Sequence, residues 1–157
     1  MLQEFAVIGT GNNLDSDEFA DALFESTGGD ASLELDRHAQ VATIWFDREA
    51  LSLRDAITEA VSQLRRLPFN IHSVELDDYV TQDQIADRIG MSRQAVSMHV
   101  NGLRGIRHFP LRAVGIPDHV RVWRLEDIYE YFGRPAEASR LRDLRNELEA
   151  VRKEARL

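Results

Sequence analysis

Apolar positions in the first half of the chain alternate between strand-like and helix-like spacing. Glu4 to Ile8 is an apolar run of strand length, and Gly9 to Leu14 reads as a loop. Phe19, Ala22 and Leu23 then form a helical stripe. Asp15 and Glu18, three apart, give it a capping-box start, and Gly28-Gly29 ends it. Leu33 to Asp36 and Gln40 to Phe46 are strand-like and joined by a short turn at Arg37-His38. Leu53, Ile57, Ala60, Val61 and Leu64 return to helical spacing, with Pro68 beyond the stop. Ile71 to Leu76 is a last strand. The predicted order is βαββαβ, a ferredoxin-like sandwich with both helices on one face of the sheet.

Asp77-Asp78 marks a polar junction, and from Val80 the pattern turns helical with short elements. The chain thus divides into an α+β domain over residues 1–76, a second domain over 77–133 and a terminal helix over 134–157. In that helix Leu141, Leu144, Leu148, Val151 and Ala155 step by three and four, a seam of about two heptads. Such a seam fits a helix packed on its own domain and a short dimeric coiled coil equally well.

Charge follows the same division. The net charge is -8, yet residues 1–76 carry 14 acidic and 5 basic side chains. Residues 88–124 hold seven arginines against the single acid Asp118. Local potential governs phosphate attraction, so the basic segment can dock on a polyanion while the acidic part faces away. There are no cysteines, which removes disulfides, thiolate metal sites and cysteine nucleophiles. Met1 to Phe5 has no basic n-region, and no apolar run approaches bilayer length, so a cytoplasmic protein away from membranes is expected.

Thr81 to Asn101 carries the most specific spacing. Two short helices crossing closely need a small residue, supplied by Ala86, and a turn residue tolerant of positive φ, supplied by Gly90. Ile85, Ile89, Met91 and Val96 form the apolar wedge, and Ser92 caps the second helix. Arg93, Gln94 and Ser97 fall on its exposed side. Arginine suits guanine or phosphate, glutamine suits adenine, and serine suits base or backbone. The Ser92 amide at the helix start is a phosphate donor. The helix Ser92–Asn101 is therefore expected to lie in the major groove of double-stranded DNA.

Past that helix come a glycine-broken basic loop, Asn101 to Pro110, a strand-like alternation from His119 to Arg124, and a helical start from Leu125 to Phe132. Over about residues 78–133 the chain resembles the MerR/excisionase-like winged helix-turn-helix proteins. It is also similar to bacterial DNA-binding proteins with a Gly-x-Arg-Gly…Phe-Pro stretch after the recognition helix. The resemblance implies base reading by Arg93, Gln94 and Ser97, phosphate contacts by Arg104 and Arg107, and a wing residue, Arg121, on the backbone or minor groove. Trp123 is expected to plug the core, and His99 to be a satisfied core histidine. Unlike MerR proteins, this chain places a domain ahead of the motif and lacks cysteine.

The first domain shows no catalytic set. Gly9-Thr10-Gly11-Asn12 follows a strand, but Leu14 stands where a dinucleotide motif needs its third glycine. Asp15, Asp17, Glu18 and Asp21 are explained by helix capping and the helix dipole, and His38 and His72 each stand alone. No enzyme activity, cofactor or metal is expected. The expectation is a transcription regulator acting as a homodimer. Its rival is an antitoxin-like or adaptor protein whose acidic first domain holds a protein partner.

Overall fold

The structure, a computed structural model, describes residues 1–36, 38, 40–105, 107–113 and 121–157. It is mixed α+β and divides into two compact units. The first contains residues 1–77 and 144–157, and the second contains residues 78–143.

The first unit runs β1 (Leu2–Thr10), α1 (Asp17–Thr27), β2 (Ala31–Asp36), β3 (Val41–Glu49), α2 (Leu53–Leu64) and β4 (Asn70–Glu75). The sheet order is β2-β3-β1-β4 with antiparallel neighbours, so each helix connection skips over an intervening strand. Alternation sends Phe5 and Val7 of β1 and Ala42, Ile44 and Phe46 of β3 into the core. They meet Phe19 and Leu23 of α1, and Leu53, Ile57, Ala60 and Leu64 of α2. Phe5 and Phe46 stack with centroids 5.1 Å apart. Each such fully buried side chain contributes roughly 1.5–3 kcal/mol.

Two local details differ from the sequence expectation. The cap of α1 is Ser16, not Asp15: its Oγ accepts from the Phe19 amide at 3.2 Å, after a turn at Asn13 with φ 58. β1 also runs to Thr10, because Gly9 and Thr10 stay paired with both neighbouring strands. Of the expected Arg37-His38 turn, Arg37 lies outside the described residues, and the His38 amide donates to Asp36 at 3.0 Å.

Arg48 breaks the apolar lining of β3. Its side chain is only 5% exposed. Nε and Nη2 donate to Asp30 at 2.6 and 3.0 Å, and Nη2 also donates to Gln63 at 2.8 Å. Nη1 has no hydrogen-bond partner, with Glu59 at 3.7 Å. A buried cation is tolerated only while its counter-charge is in place.

The second unit contains β5 (Tyr79–Val80), α3 (Gln82–Ile89), α4 (Arg93–Val100), β6 (Trp123–Arg124) and α5 (Leu125–Tyr131). Val80 lies in a strand rather than at the start of a helix, because Tyr79–Val80 pairs antiparallel with Trp123–Arg124. Val80, Ile85, Ala86, Ile89, Val96, Trp123, Leu125 and Ile128 form the core of this unit.

The last helix, α6 (Pro135–Ala155), is not a unit of its own; its residues are divided at Asp143 and Leu144. Leu141 packs on the core of the second unit, whereas Leu144, Leu148 and Val151 pack into that of the first. The seam is thus satisfied within the chain. In the first unit Glu147 accepts from the Arg54 amide, and Arg152 donates to the Val74 carbonyl at the free edge of β4.

Asp30→Ala leaves the Arg48 guanidinium buried with only weaker partners. It should cost about 2–3 kcal/mol in urea denaturation, and an unchanged midpoint would show that Gln63 and Glu59 suffice.

Candidate nucleic-acid interface

Local rules set the helix pair. Thr81 and Gln84 form a reciprocal capping box at the start of α3: the Gln84 amide donates to Thr81 Oγ1 at 3.3 Å, and the Thr81 amide donates to Gln84 Oε1 at 2.9 Å. Gly90 ends the helix in the left-handed region, φ 77 and ψ 34, and its amide donates to the Ala86 carbonyl at 2.9 Å. Beyond the adjoining backbone, no atom lies within 4 Å of the place a Cβ would take. The demand for glycine is therefore conformational rather than steric. Ser92 then caps α4, accepting from the Ala95 amide at 3.1 Å.

The opposite sides of α4 differ in burial. Val96 is wholly buried with Ile85 and Ala86, while Met91 and Val100 pack against that cluster. Ser92, Arg93 and Gln94 are exposed on the cap and first turn. Arg93 is 74% exposed, and its Nε lies 3.7 Å from Asp83. A pair that open and that long is weak, so a phosphate or base edge can displace the carboxylate. Ser97 is half-buried and Asn101 exposed, and the two are joined by a bond of 3.2 Å from Asn101 Nδ2 to Ser97 Oγ. The Ser97 hydroxyl keeps its own proton to donate.

Beyond α4 the loop is pinned to α5. His99 is buried, with Nδ1 2.9 Å from the Tyr131 hydroxyl and ring edges of Tyr131 and Phe132 around it. The same hydroxyl donates to the Arg104 carbonyl at 3.4 Å. Gly105 sits at φ 97, where a Cβ would overlap the Tyr131 hydroxyl and stand 3.2 Å from His99 Nδ1. Arg104 and Arg107 flank this contact, and both are exposed.

The expected wing is described in part. Residues 114–120, with His119 and Val120 of the expected strand, lie outside the described residues. Arg121 is exposed, the Ala113 amide donates to the Val122 carbonyl at 2.9 Å, and Trp123–Arg124 pairs with β5. Trp123 is buried and donates from Nε1 to the Pro110 carbonyl at 3.0 Å.

The structure thus groups Ser92, Arg93 and Gln94 on one turn, links Ser97 to Asn101, and hangs Arg104 from the pinned loop. Arg107 and Arg121 are exposed, with no described contact tying them to α4. Two supporting residues escaped the sequence reading. Arg134 donates to the Arg88 and Ile89 carbonyls at 3.4 and 2.6 Å, covering the C-terminal end of α3. Tyr131 is the other, and it bonds a histidine 32 positions earlier, beyond any local pattern.

Charge on α5 is compensated on the spot. Arg142 pairs with Glu126 at 2.7 Å and with Glu130. The hydrogen bond to Glu126, then its charge, holds the Arg142 guanidinium above its ordinary range. No ion pair of Arg104, Arg107, Arg112 or Arg121 occurs among the described residues. No group of three or more histidine or acidic side chains that could hold a metal occurs among them either, and no helix is long and apolar enough to cross a membrane. No protein-family model, curated protein or solved structure matches the chain.

Tyr131→Phe removes both hydroxyl contacts. It should cost about 1 kcal/mol and speed amide exchange at Gly105, and Gly105→Ala should cost more. Wild-type urea midpoints for both variants would show that the pin contributes nothing.

Proposed function

We propose that the second unit binds double-stranded DNA and that the protein is a transcription regulator. In this reading α3 and α4 are a helix-turn-helix, and Arg121 belongs to a wing whose described part is the pairing of Trp123–Arg124 with β5. The first unit is then a ferredoxin-like sandwich, a reading supported by its βαββαβ order and the strand order β2-β3-β1-β4.

One observation carries the function: the exposed first turn of α4 presents Ser92, Arg93 and Gln94, while Val96 on its other side is locked into the core. That turn is the part of a recognition helix that reaches base edges. Arg93 reads guanine or grips a phosphate, Gln94 pairs with adenine, and the helix start receives a phosphate oxygen. Ser97 and Asn101 act as one hydrogen-bonded pair farther along. Arg104, Arg107 and Arg121 supply sequence-independent attraction.

One short helix reads few base pairs, and a two-fold dimer doubles the site with half-sites about one helical turn apart. Because Leu144, Leu148 and Val151 are packed in the first unit, the pairing surface lies elsewhere than the leucine seam.

Selection from random duplexes followed by binding titration tests the reading. Arg93→Ala should relax base preference at one position by about 1–3 kcal/mol. Removing Arg104 or Arg107 should weaken binding to every duplex and lower the salt slope by about one each. Full affinity and unchanged preference in Arg93→Ala would overturn the assigned readout. Light scattering of the complex should show two chains per duplex, and a single chain would remove the half-site arrangement.

A further inference from the structure

One face of the first unit's sheet is occupied by α1, α2 and the end of α6, whose apolar side chains share a single core with it. The residues of the opposite face are not part of that core. Strand register lays the face out in rows. Ser32, Trp45, Ala6 and Glu75 form one row, and Glu34, Thr43, Ile8 and Ser73 the next. Asp36, Val41, Thr10 and Asn70 form a third, with His72 bonded to Thr10 at 3.0 Å. Glu4 and Asp47 close the far end.

A sheet face meant only for water carries polar side chains. The middle of this one carries Ala6, Ile8, Val41, Thr43 and Trp45, while Glu4, Glu34, Asp36 and Asp47 stand exposed around them. The Trp45 indole donates to Glu34 at 3.0 Å, tying the aromatic centre to the rim. None of the four strands places a lysine or arginine on this face; the one arginine they contain, Arg48, points into the core.

The charge pattern decides between occupants. A sheet face with an accessible aromatic, here the half-buried Trp45, suits single-stranded nucleic acid when it is basic, but a carboxylate rim repels phosphate. A second copy docked face to face would set carboxylates against carboxylates. We infer that this face docks a basic protein segment, with an aliphatic or aromatic anchor over Ile8, Thr43 and Trp45 and lysine or arginine side chains on Glu4, Glu34, Asp36 and Asp47. The two units would then take partners of opposite charge, the second a polyanion and the first a polycation. The inference does not depend on DNA binding.

Isothermal titration of the full chain with a short peptide of alternating lysine and leucine tests it. A lysine-glycine peptide of equal charge serves as comparison. The lysine-leucine peptide should bind more tightly, and amide shifts should map to β1 and β3. Combining Glu34→Lys with Asp36→Lys should weaken binding about tenfold or more. Combining Asp21→Lys with Glu25→Lys, the same charge change on exposed α1, should leave most of it. Equal losses in the two variants, or equal binding of the two peptides, would show attraction by net charge alone and overturn the docking face. Salt-sensitive self-association without peptide would place a second copy's own arginines there and overturn a foreign partner.

Discussion

The left-handed turn at Gly90 is the constraint from which the rest of the second unit follows. It ends α3 on the Ala86 carbonyl and redirects the chain within two residues, so that Ser92 can cap α4. With that geometry Val96 falls onto the Ile85–Ala86 face, and Ser92, Arg93 and Gln94 are forced to the outside. Capping, packing and the exposure of the candidate reading residues are thus consequences of one dihedral pair, held by a residue without a Cβ.

Supporting contacts keep the surrounding surface in register. Arg134 satisfies the terminal carbonyls of α3, and Tyr131 fixes both His99 and the Arg104 carbonyl. The Tyr131 bond is made to backbone and leaves the Arg104 guanidinium without an ion pair among the described residues. Two carboxylates of α5, Glu126 and Glu130, are meanwhile paired with Arg142. Among the described residues Arg93 pairs with Asp83, and Arg104, Arg107, Arg112 and Arg121 make no ion pair. On the sheet of the first unit the balance is the opposite: Arg48, the one arginine of its strands, is buried, while Glu4, Glu34, Asp36 and Asp47 are exposed.

Much of this was legible in the chain itself, because the determining interactions are local. Hydrophobic period separated strands from helices in 1–76, and glycines marked the ends of α1 and α3. Serine and the apolar wedge located α4. The α1 cap was misplaced by one residue because Asp15 and Ser16 are both competent acceptors, and the choice depends on the turn at Asn13. The spacing turns helical from Val80, whereas the structure puts Val80 in a two-residue strand, which has no period to detect and is defined only by its pairing with Trp123–Arg124.

By itself the sequence determined the order of elements, the division near Asp77, the segregation of charge and the helix pair with its outward arginine and glutamine. These depend on backbone propensity, side-chain period and capping, all of which act within a few residues. Only the tertiary structure decided the fate of the leucine seam, whose residues are divided between two cores rather than left free to pair with another chain. It also decided that Tyr131 bonds His99 and Arg134 covers the end of α3, and that Trp45 sits amid carboxylates contributed by three different strands. Such features arise from contacts between residues far apart in the chain, where burial and register, not spacing, choose the partner.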